Sequence, residues 1–68
     1  MKLKDPEIIR DVLAKRGWLT IREAAEGLSV SANTIGRALR GEPVRAHTIR
    51  KLALAINKAP TDIATFVN

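Results

Sequence analysis

The stretch TIREAAEGLSVSANTIGRALRG, residues 20–41, contains two short helical patterns separated by a very short break. Thr20 and Glu23 have the spacing of a capping box, in which each side chain accepts a hydrogen bond from the other residue's backbone amide. Apolar residues then recur at helical spacing, and we expect this first helix to end at about Gly27. Ser31 is a suitable N-cap for a second helix. The stretch therefore predicts two helices joined by a tight turn.

The second of these helices, about residues 31–40, has two different faces. Ile35, Ala38 and Leu39 share one side at helical spacing, which indicates a buried face. The other side is predicted to carry Asn33, Gly36, Arg37 and Arg40. Inside a helix, glycine costs about 1 kcal/mol relative to alanine. Two explanations stay open: Gly36 lets another molecule approach the helix backbone closely, or it admits a neighbouring helix.

Three further helices are predicted around this pair, and no strand is predicted. Asp5 as N-cap and Pro6 at the first helical position begin a helix of about residues 6–16. A fourth helix is expected over about residues 46–57, where apolar residues again recur at helical spacing. The last helix begins at residue 60 or 61, and its buried face is expected to consist of Ile63, Phe66 and Val67. The predicted fold class is all-α, with five short helices in one domain of residues 1–68.

Positive charge is concentrated in the second half of the chain. The 68 residues include 12 Lys or Arg against 7 Asp or Glu, which gives a net charge of +5 and an isoelectric point of about 10.5. Residues 31–58 contain six Lys or Arg and a single acidic residue, Glu42. This balance is typical of small nucleic-acid-binding domains. An ordinary solvated basic surface is the alternative interpretation.

Other classes of protein lack their usual signals in this sequence. There is no cysteine, no dense cluster of metal-ligating residues and no glycine-rich phosphate loop, and His47 has no catalytic partners in evidence. We therefore expect no enzyme activity, no metal and no cofactor. The chain also lacks an apolar run of the roughly 18 residues that suggest a membrane span, and it lacks a signal peptide, so we expect a cytoplasmic protein.

The stretch LTIREAAEGLSVSANTIGRALRGEPVRAHTIRKLALAI, residues 19–56, resembles the helix-turn-helix of the phage repressor and Cro family, also called lambda-repressor-like domains. The small, apolar and glycine positions of that motif are met by Ala25, Leu28, Val30, Ile35 and Gly41. Three positions depart from the pattern: Ile21 replaces a common glutamine, Ala38 a larger hydrophobe and Ser29 a glycine of the turn. A serine in this turn is expected to adopt a left-handed conformation, at a cost of about 1 kcal/mol.

The resemblance implies a compact five-helix fold whose second motif helix, about residues 31–40, enters the major groove of double-stranded DNA. It implies a base-reading role for Ser31, Ala32, Asn33, Gly36 and Arg37. It implies contacts to the DNA backbone or flanking groove for Thr20, Arg22, Thr34, Arg40, Arg45 and His47. Asn33 suits an adenine edge, Arg37 suits the N7 and O6 atoms of guanine, and Ala32 suits a thymine methyl group.

The function implied by the resemblance is sequence-specific DNA binding by a small transcriptional regulator, a repressor of the Cro type in a bacterial or phage-infected cell. A homodimer on a pseudo-palindromic operator is the expected assembly. The alternatives are an excisionase-like or architectural DNA-binding factor, an antitoxin that represses its own operon, and a protein-interaction module. Trp18 is expected to cover the core between the first two helices, with an indole contact to phosphate as its alternative.

Overall fold

The computed structural model describes residues 1–67, and most of this part of the chain is helical. The elements follow one another as β1 (Lys2–Leu3), α1 (Pro6–Lys15), α2 (Ile21–Leu28), α3 (Ala32–Leu39), α4 (Ala46–Ala55), α5 (Pro60–Ile63) and β2 (Ala64–Thr65). The prediction of five short helices is confirmed, and the boundaries of the helices agree with the predicted ones within a few residues. None of the helices in residues 1–67 is long and apolar enough to cross a membrane.

The predicted N-caps of the first three helices all form. The Asp5 side chain accepts a hydrogen bond of 3.3 Å from the amide of Ile8. Thr20 and Glu23 form the complete capping box, with both reciprocal bonds at 3.1 Å. Ser31 accepts from the amide of Thr34 at 3.1 Å. Each cap satisfies an amide that has no partner within its own helix, so the starts of α1, α2 and α3 are fixed by local sequence.

The turn between α2 and α3 uses a left-handed serine, as the sequence predicts. Ser29 has φ 58° and ψ 42°, and the amide of Val30 donates to the carbonyl of Ala25 at 3.0 Å, which closes the end of α2. α3 is followed by Gly41 at φ +80°, a conformation that glycine adopts without steric cost. The tight turn sets the angle at which α3 leaves α2.

The core is formed by the apolar faces of the helices together with the terminal strands. Ala25 is buried in α2, and Ile35 of α3 is fully buried, as expected for a small residue and a plug where these two helices pack together. The other buried apolar residues are Leu3, Ile9, Leu13, Ala24, Leu28, Ala38, Leu39, Ile49, Leu52, Ala53, Ile63 and Ala64. The core therefore holds α2 and α3 in one arrangement, which determines the surface that α3 presents.

Two very short strands join the ends of the chain, and the sequence did not predict them. Lys2 pairs with Thr65 and Leu3 with Ala64 in an antiparallel ladder. The amide and carbonyl of Val44 also bond to the carbonyl and amine of Met1, at 2.7 and 2.8 Å. Strands of two residues are too short to show an alternation of apolar and polar positions, so their pattern is not visible in the sequence.

The prediction of a last buried face from residues 63, 66 and 67 is wrong for two of its three members. Ile63 is buried, but Phe66 is 79% exposed and Val67 is 43% exposed. The reason is that α5 ends at Ile63 and the chain continues as β2, so helical spacing does not apply to the residues that follow. Ala64 of the strand is buried in their place.

Trp18 covers the core beside α1 and α2, as expected. Its half-buried indole packs against the core and lies directly over Gly27 of α2, whose missing side chain makes room for it. The guanidinium of Arg16 stands 5.0 Å from the ring centroid of Trp18, at a distance that allows a cation–π contact. Gly27, in the last turn of α2, is thus required by packing.

Candidate nucleic-acid interface

The start of α3 is exposed over three consecutive residues. Ser31, Ala32 and Asn33 are all exposed. The Ser31 hydroxyl donates to Oγ1 of Thr34 at 2.8 Å, while the side-chain amide of Asn33 makes no hydrogen bond within residues 1–67. An amide with both a donor and an acceptor available can bond the edge of a base in a bidentate manner. Three of the predicted base-reading residues therefore stand together on an accessible surface.

Gly36 shares one side of α3 with Asn33 and Arg37, but unlike them it is buried in the free protein, so the expectation that it is exposed for a close approach is wrong for this state. The glycine is buried because the side chain of Arg40 lies over it and Ile21 of α2 lies beside it. A Cβ atom added at Gly36 would stand 3.4 Å from Nη1 of Arg40 and 3.9 Å from Cδ1 of Ile21. Both distances are within the range of ordinary contact, so neighbouring helices do not require glycine at this position.

Arg37 and Arg40 both turn their side chains toward the loop between α3 and α4. Nε of Arg40 donates to Oε2 of Glu42 at 2.8 Å, and Nε of Arg37 lies 3.7 Å from Oε1 of the same carboxylate. Nη2 of Arg37 also donates to the carbonyl of Pro43 at 3.3 Å. The hydrogen bond from Arg40 is the main reason that the pKa of Glu42 is lowered, so this carboxylate is ionised at neutral pH.

A cleft of about 320 Å³ separates the start of α3 from the start of α4. Cationic and hydroxyl side chains surround it, and no carboxylate from residues 1–67 lines it. The lining residues are Ser29, Val30, Ser31, Thr34, Arg37, Val44, Arg45, His47, Thr48 and Lys51. Five residues that the resemblance implied for DNA contact are brought together here: Ser31, Thr34, Arg37, Arg45 and His47.

The N-terminus of α4 opens into this cleft without a side-chain cap. Arg45 occupies the N-cap position, and its side chain makes no capping hydrogen bond. Thr48, in the first turn of α4, is 1% exposed, and its Oγ1 has no hydrogen-bond partner within residues 1–67. Uncapped amides and the positive end of the helix dipole favour an anion at such a place. The cleft can therefore hold a phosphate group by charge and by hydrogen bonds.

Three of the predicted backbone contacts lie outside the cleft: Arg40 after α3, and Thr20 and Arg22 at the start of α2. Arg22 is exposed there. Thr20 is occupied by its own cap, because its hydroxyl donates to Oε1 of Glu23 at 3.2 Å while accepting from the Glu23 amide. The carboxylate of Glu23 also stands at this helix start. Of this pair, Arg22 is the one suited to an anion.

Lys51 is a residue of the cleft that sequence reasoning missed. Its Nζ donates to the carbonyl of Ser29 at 3.1 Å, which joins α4 to the turn of the helix-turn-helix and leaves an ammonium group at the edge of the cleft. The signal was present, since Lys51 follows His47 by four residues and the two share one face of α4. The spacing within α4 could not show that this face lies against the turn between α2 and α3.

Comparison with known protein families agrees with this geometry. Residues 9–68 match the family described as Cro/C1-type HTH DNA-binding domain, and the match covers most of the chain. Neither the curated proteins nor the solved structures give a match. Domains of this family bind double-stranded DNA, and they are typical of regulators rather than of enzymes. The chain belongs to the family of Cro/C1-type helix-turn-helix DNA-binding domains.

Proposed function

We propose that the protein is a sequence-specific transcriptional regulator, a repressor of the Cro type, whose α3 enters the major groove of an operator. The observation that carries the proposal is the cationic cleft without carboxylates beside the exposed first turn of α3. A polyanion gains electrostatic energy at such a surface, while the first turn of α3 offers groups that distinguish bases. The cytoplasm of a bacterial or phage-infected cell is the corresponding place of action.

The base-reading residues in this proposal are those at the start and middle of α3. Arg37 bonds N7 and O6 of guanine, Asn33 bonds an adenine edge, and Ala32 contacts a thymine methyl group. Ser31 is the exposed N-cap of α3, and in the proposal it contacts a base or sugar next to the bases that Ala32 and Asn33 contact. Gly36 contributes by what it lacks, because a helix without a side chain there can lie deeper in the groove once the Arg40 side chain moves aside.

Backbone contacts in the proposal come from both flanks of α3. On the α4 side, a phosphate binds in the cleft, where Arg45, His47, Lys51 and the first amides of α4 surround it. Thr34 adds a hydroxyl to the same wall. On the other flank, contacts come from Arg22 and Arg40, while the Thr20 hydroxyl stays in its capping box. These contacts fix the register of the helix on the duplex without reading its sequence.

A homodimer is part of the proposal, since a two-fold axis would match the two halves of a pseudo-palindromic operator. The support is the exposed apolar chain end after β2, where Phe66 is 79% and Val67 is 43% exposed. Pairing of this end with a second copy would remove both side chains from water. Replacing Phe66 with aspartate should then weaken binding to a two-half-site operator and leave binding to one half-site unchanged.

The experiment that tests the proposal is selection of bound duplexes from a random DNA library at physiological salt. Non-specific binding is weak under that condition, with dissociation constants on the order of 10⁻⁴ to 10⁻⁶ M, so enrichment reports sequence preference. We expect two inverted half-sites with centres about 10 base pairs apart. A single enriched half-site would contradict the dimer only. No enrichment would contradict sequence-specific regulation and favour an architectural factor or a protein-docking module.

A further inference from the structure

Glu42 is the one acidic residue in a long basic segment, residues 31–58. It lies in the loop that follows α3, and its two carboxylate oxygens face different arginines, Arg37 in α3 and Arg40 at the C-cap of that helix. Oε2 accepts a hydrogen bond of 2.8 Å from Nε of Arg40, and Oε1 stands 3.7 Å from Nε of Arg37. A negative charge is thus held at the edge of the surface that would meet DNA.

The two contacts of Arg37 leave a particular part of its guanidinium unused. Nε faces Glu42 and Nη2 donates to the Pro43 carbonyl at 3.3 Å, so the side edge of the group is turned to the loop. A guanidinium has five N–H donors in a planar fork. Nη1 makes no hydrogen bond within residues 1–67, so the edge of the fork that contains Nη1 is available to an acceptor outside the protein. That edge has the geometry for bidentate bonding to N7 and O6 of guanine.

The ion pairs do not serve mainly to stabilise the fold. The side chains of Arg37, Arg40 and Glu42 are 48%, 58% and 46% exposed. Ion pairs at such exposure contribute little to the free energy of unfolding, because water and salt screen them. Removing the carboxylate should therefore leave the helix-turn-helix folded, and its effect on binding can be measured separately.

We infer that Glu42 is a specificity-determining positioning residue: its carboxylate fixes Arg37 for bidentate contact with guanine and opposes phosphates near Arg37 and Arg40. The inference rests on the proposed function. On the correct operator, the ion pair with Arg37 persists, and the guanidinium is already oriented when guanine arrives. On other sequences, Arg37 and Arg40 have only phosphates to contact, and the nearby carboxylate makes that contact less favourable.

The two effects have opposite signs, which makes the test sharp. Glu42→Gln in the full chain should weaken binding to the duplex obtained by selection about fivefold, because Arg37 loses its orientation. It should strengthen binding to a randomised duplex of equal length about fivefold and make the salt dependence steeper by about one charge. The ratio of the two affinities then falls by about 25-fold, the product of the two fivefold changes. Thermal unfolding, measured in parallel, should change little, because exposed ion pairs contribute little to the free energy of unfolding.

Glu7→Gln is the matched control, since it removes the same charge from an exposed glutamate of α1 that makes no ion pair within residues 1–67. It should raise both affinities slightly and equally. A double-mutant cycle adds the mechanism: in a protein that already carries Arg37→Ala, Glu42→Gln should no longer weaken binding to the selected duplex.

Each result decides the question. Suppose that the wild-type protein prefers one sequence, but Glu42→Gln changes the affinity ratio no more than Glu7→Gln does. That result would overturn this inference and leave the proposed function standing. A weakening on the selected duplex that survives Arg37→Ala would overturn the action through Arg37. A wild-type protein that binds all duplexes equally would overturn the proposed function, and this inference with it.

Discussion

Replacing Gly36 with alanine should stabilise the protein while weakening its binding to DNA. The added Cβ would stand 3.4 Å from Nη1 of Arg40 and 3.9 Å from Cδ1 of Ile21. Neither distance is a collision, and the closer atom is the end of a flexible side chain. Gly36 is inside a helix and is not among the positive-φ glycines of residues 1–67, so alanine can take its conformation. Steric strain therefore contributes little.

The expected gain in stability follows from helix propensity. Glycine is about 0.8 to 1.0 kcal/mol less favourable than alanine inside a helix, because it loses more backbone entropy on folding. With no opposing steric term, Gly36→Ala should raise the free energy of unfolding by about 1 kcal/mol. For a domain of this size, that corresponds to a rise in Tm of about 4 to 8 °C. Denaturant and thermal unfolding followed by circular dichroism would measure both quantities.

The expected loss in binding follows from the proposed approach of α3 to the base edges. A methyl group placed between the helix backbone and DNA would overpack that contact, at a cost of about 1 to 3 kcal/mol. Affinity for the selected duplex should then fall about fivefold or more. A more stable protein with unchanged affinity would refute the close approach at Gly36. A less stable protein would refute the contact geometry at Arg40 and Ile21.

Gly27→Ala is the matched control, and its effect on stability should have the opposite sign. A Cβ at Gly27 would overlap the indole of Trp18, with Cε2 only 2.6 Å away. The ring would have to leave its place against the core, and overpacking of this kind costs about 1 to 3 kcal/mol, more than the gain in helix propensity. The same substitution in two neighbouring helices thus separates packing from propensity. Equal effects on stability at the two sites would contradict both contact geometries.

The remaining predictions concern recognition, packing and pH. Arg37→Ala should reduce the favourable binding free energy on the selected duplex by about 1 to 3 kcal/mol and relax one base preference, and equal losses on selected and random DNA would exclude base reading. Arg45→Ala should weaken binding to all duplexes similarly and lower the salt slope by about one. Ala25→Leu should lower the free energy of unfolding by about 1 to 3 kcal/mol, as denaturant unfolding would show, because Ala25 is 4% exposed between packed helices. The pKa of Glu42 is lowered, first by the hydrogen bond from Arg40, so its small stabilising effect is present at neutral pH and is lost as the pH falls through that lowered pKa. An NMR titration of the carboxyl carbon should give a midpoint below the ordinary value, and one at or above it would contradict the ion pairs.

Most of the fold could be predicted because its signals are local. The capping pair Thr20 and Glu23, the cap Ser31 and the stop at Gly41 each involve residues within one helical turn, and all take the expected form. The left-handed conformation of Ser29 was predicted differently, from the resemblance to a family whose turn commonly holds glycine at this position. Local rules did not extend to the chain ends. The pairing of Lys2 with Thr65 depends on contacts between residues far apart in sequence.

The sequence was sufficient to predict many of the residues that belong to the candidate site, but it was not sufficient to predict how their side chains are arranged. Helical spacing assigned Arg37 and Arg40 to the polar side of α3, and both are exposed. It could not show that Glu42 turns both side chains toward one loop, because that depends on where the chain goes after Gly41. Lys51 was missed for a similar reason, since its partner is the carbonyl of Ser29, which lies in the turn between α2 and α3 and is distant from Lys51 in sequence.

The burial of Gly36 shows how one long side chain changes the meaning of a helical pattern. Gly36 shares a face with Asn33 and Arg37, yet it is buried because Arg40, held by Glu42, lies across it. The accessible surface of α3 in the free protein therefore depends on the side-chain conformation of Arg40 as well as on the helix itself. A phosphate that attracts the Arg40 guanidinium would uncover the backbone at Gly36 at the same time. Backbone contact and base approach are then linked through Arg40, but the methyl group of Gly36→Ala meets the DNA only after Arg40 has moved, so its loss of affinity should persist in a protein that also carries Glu42→Gln, where Arg40 moves freely.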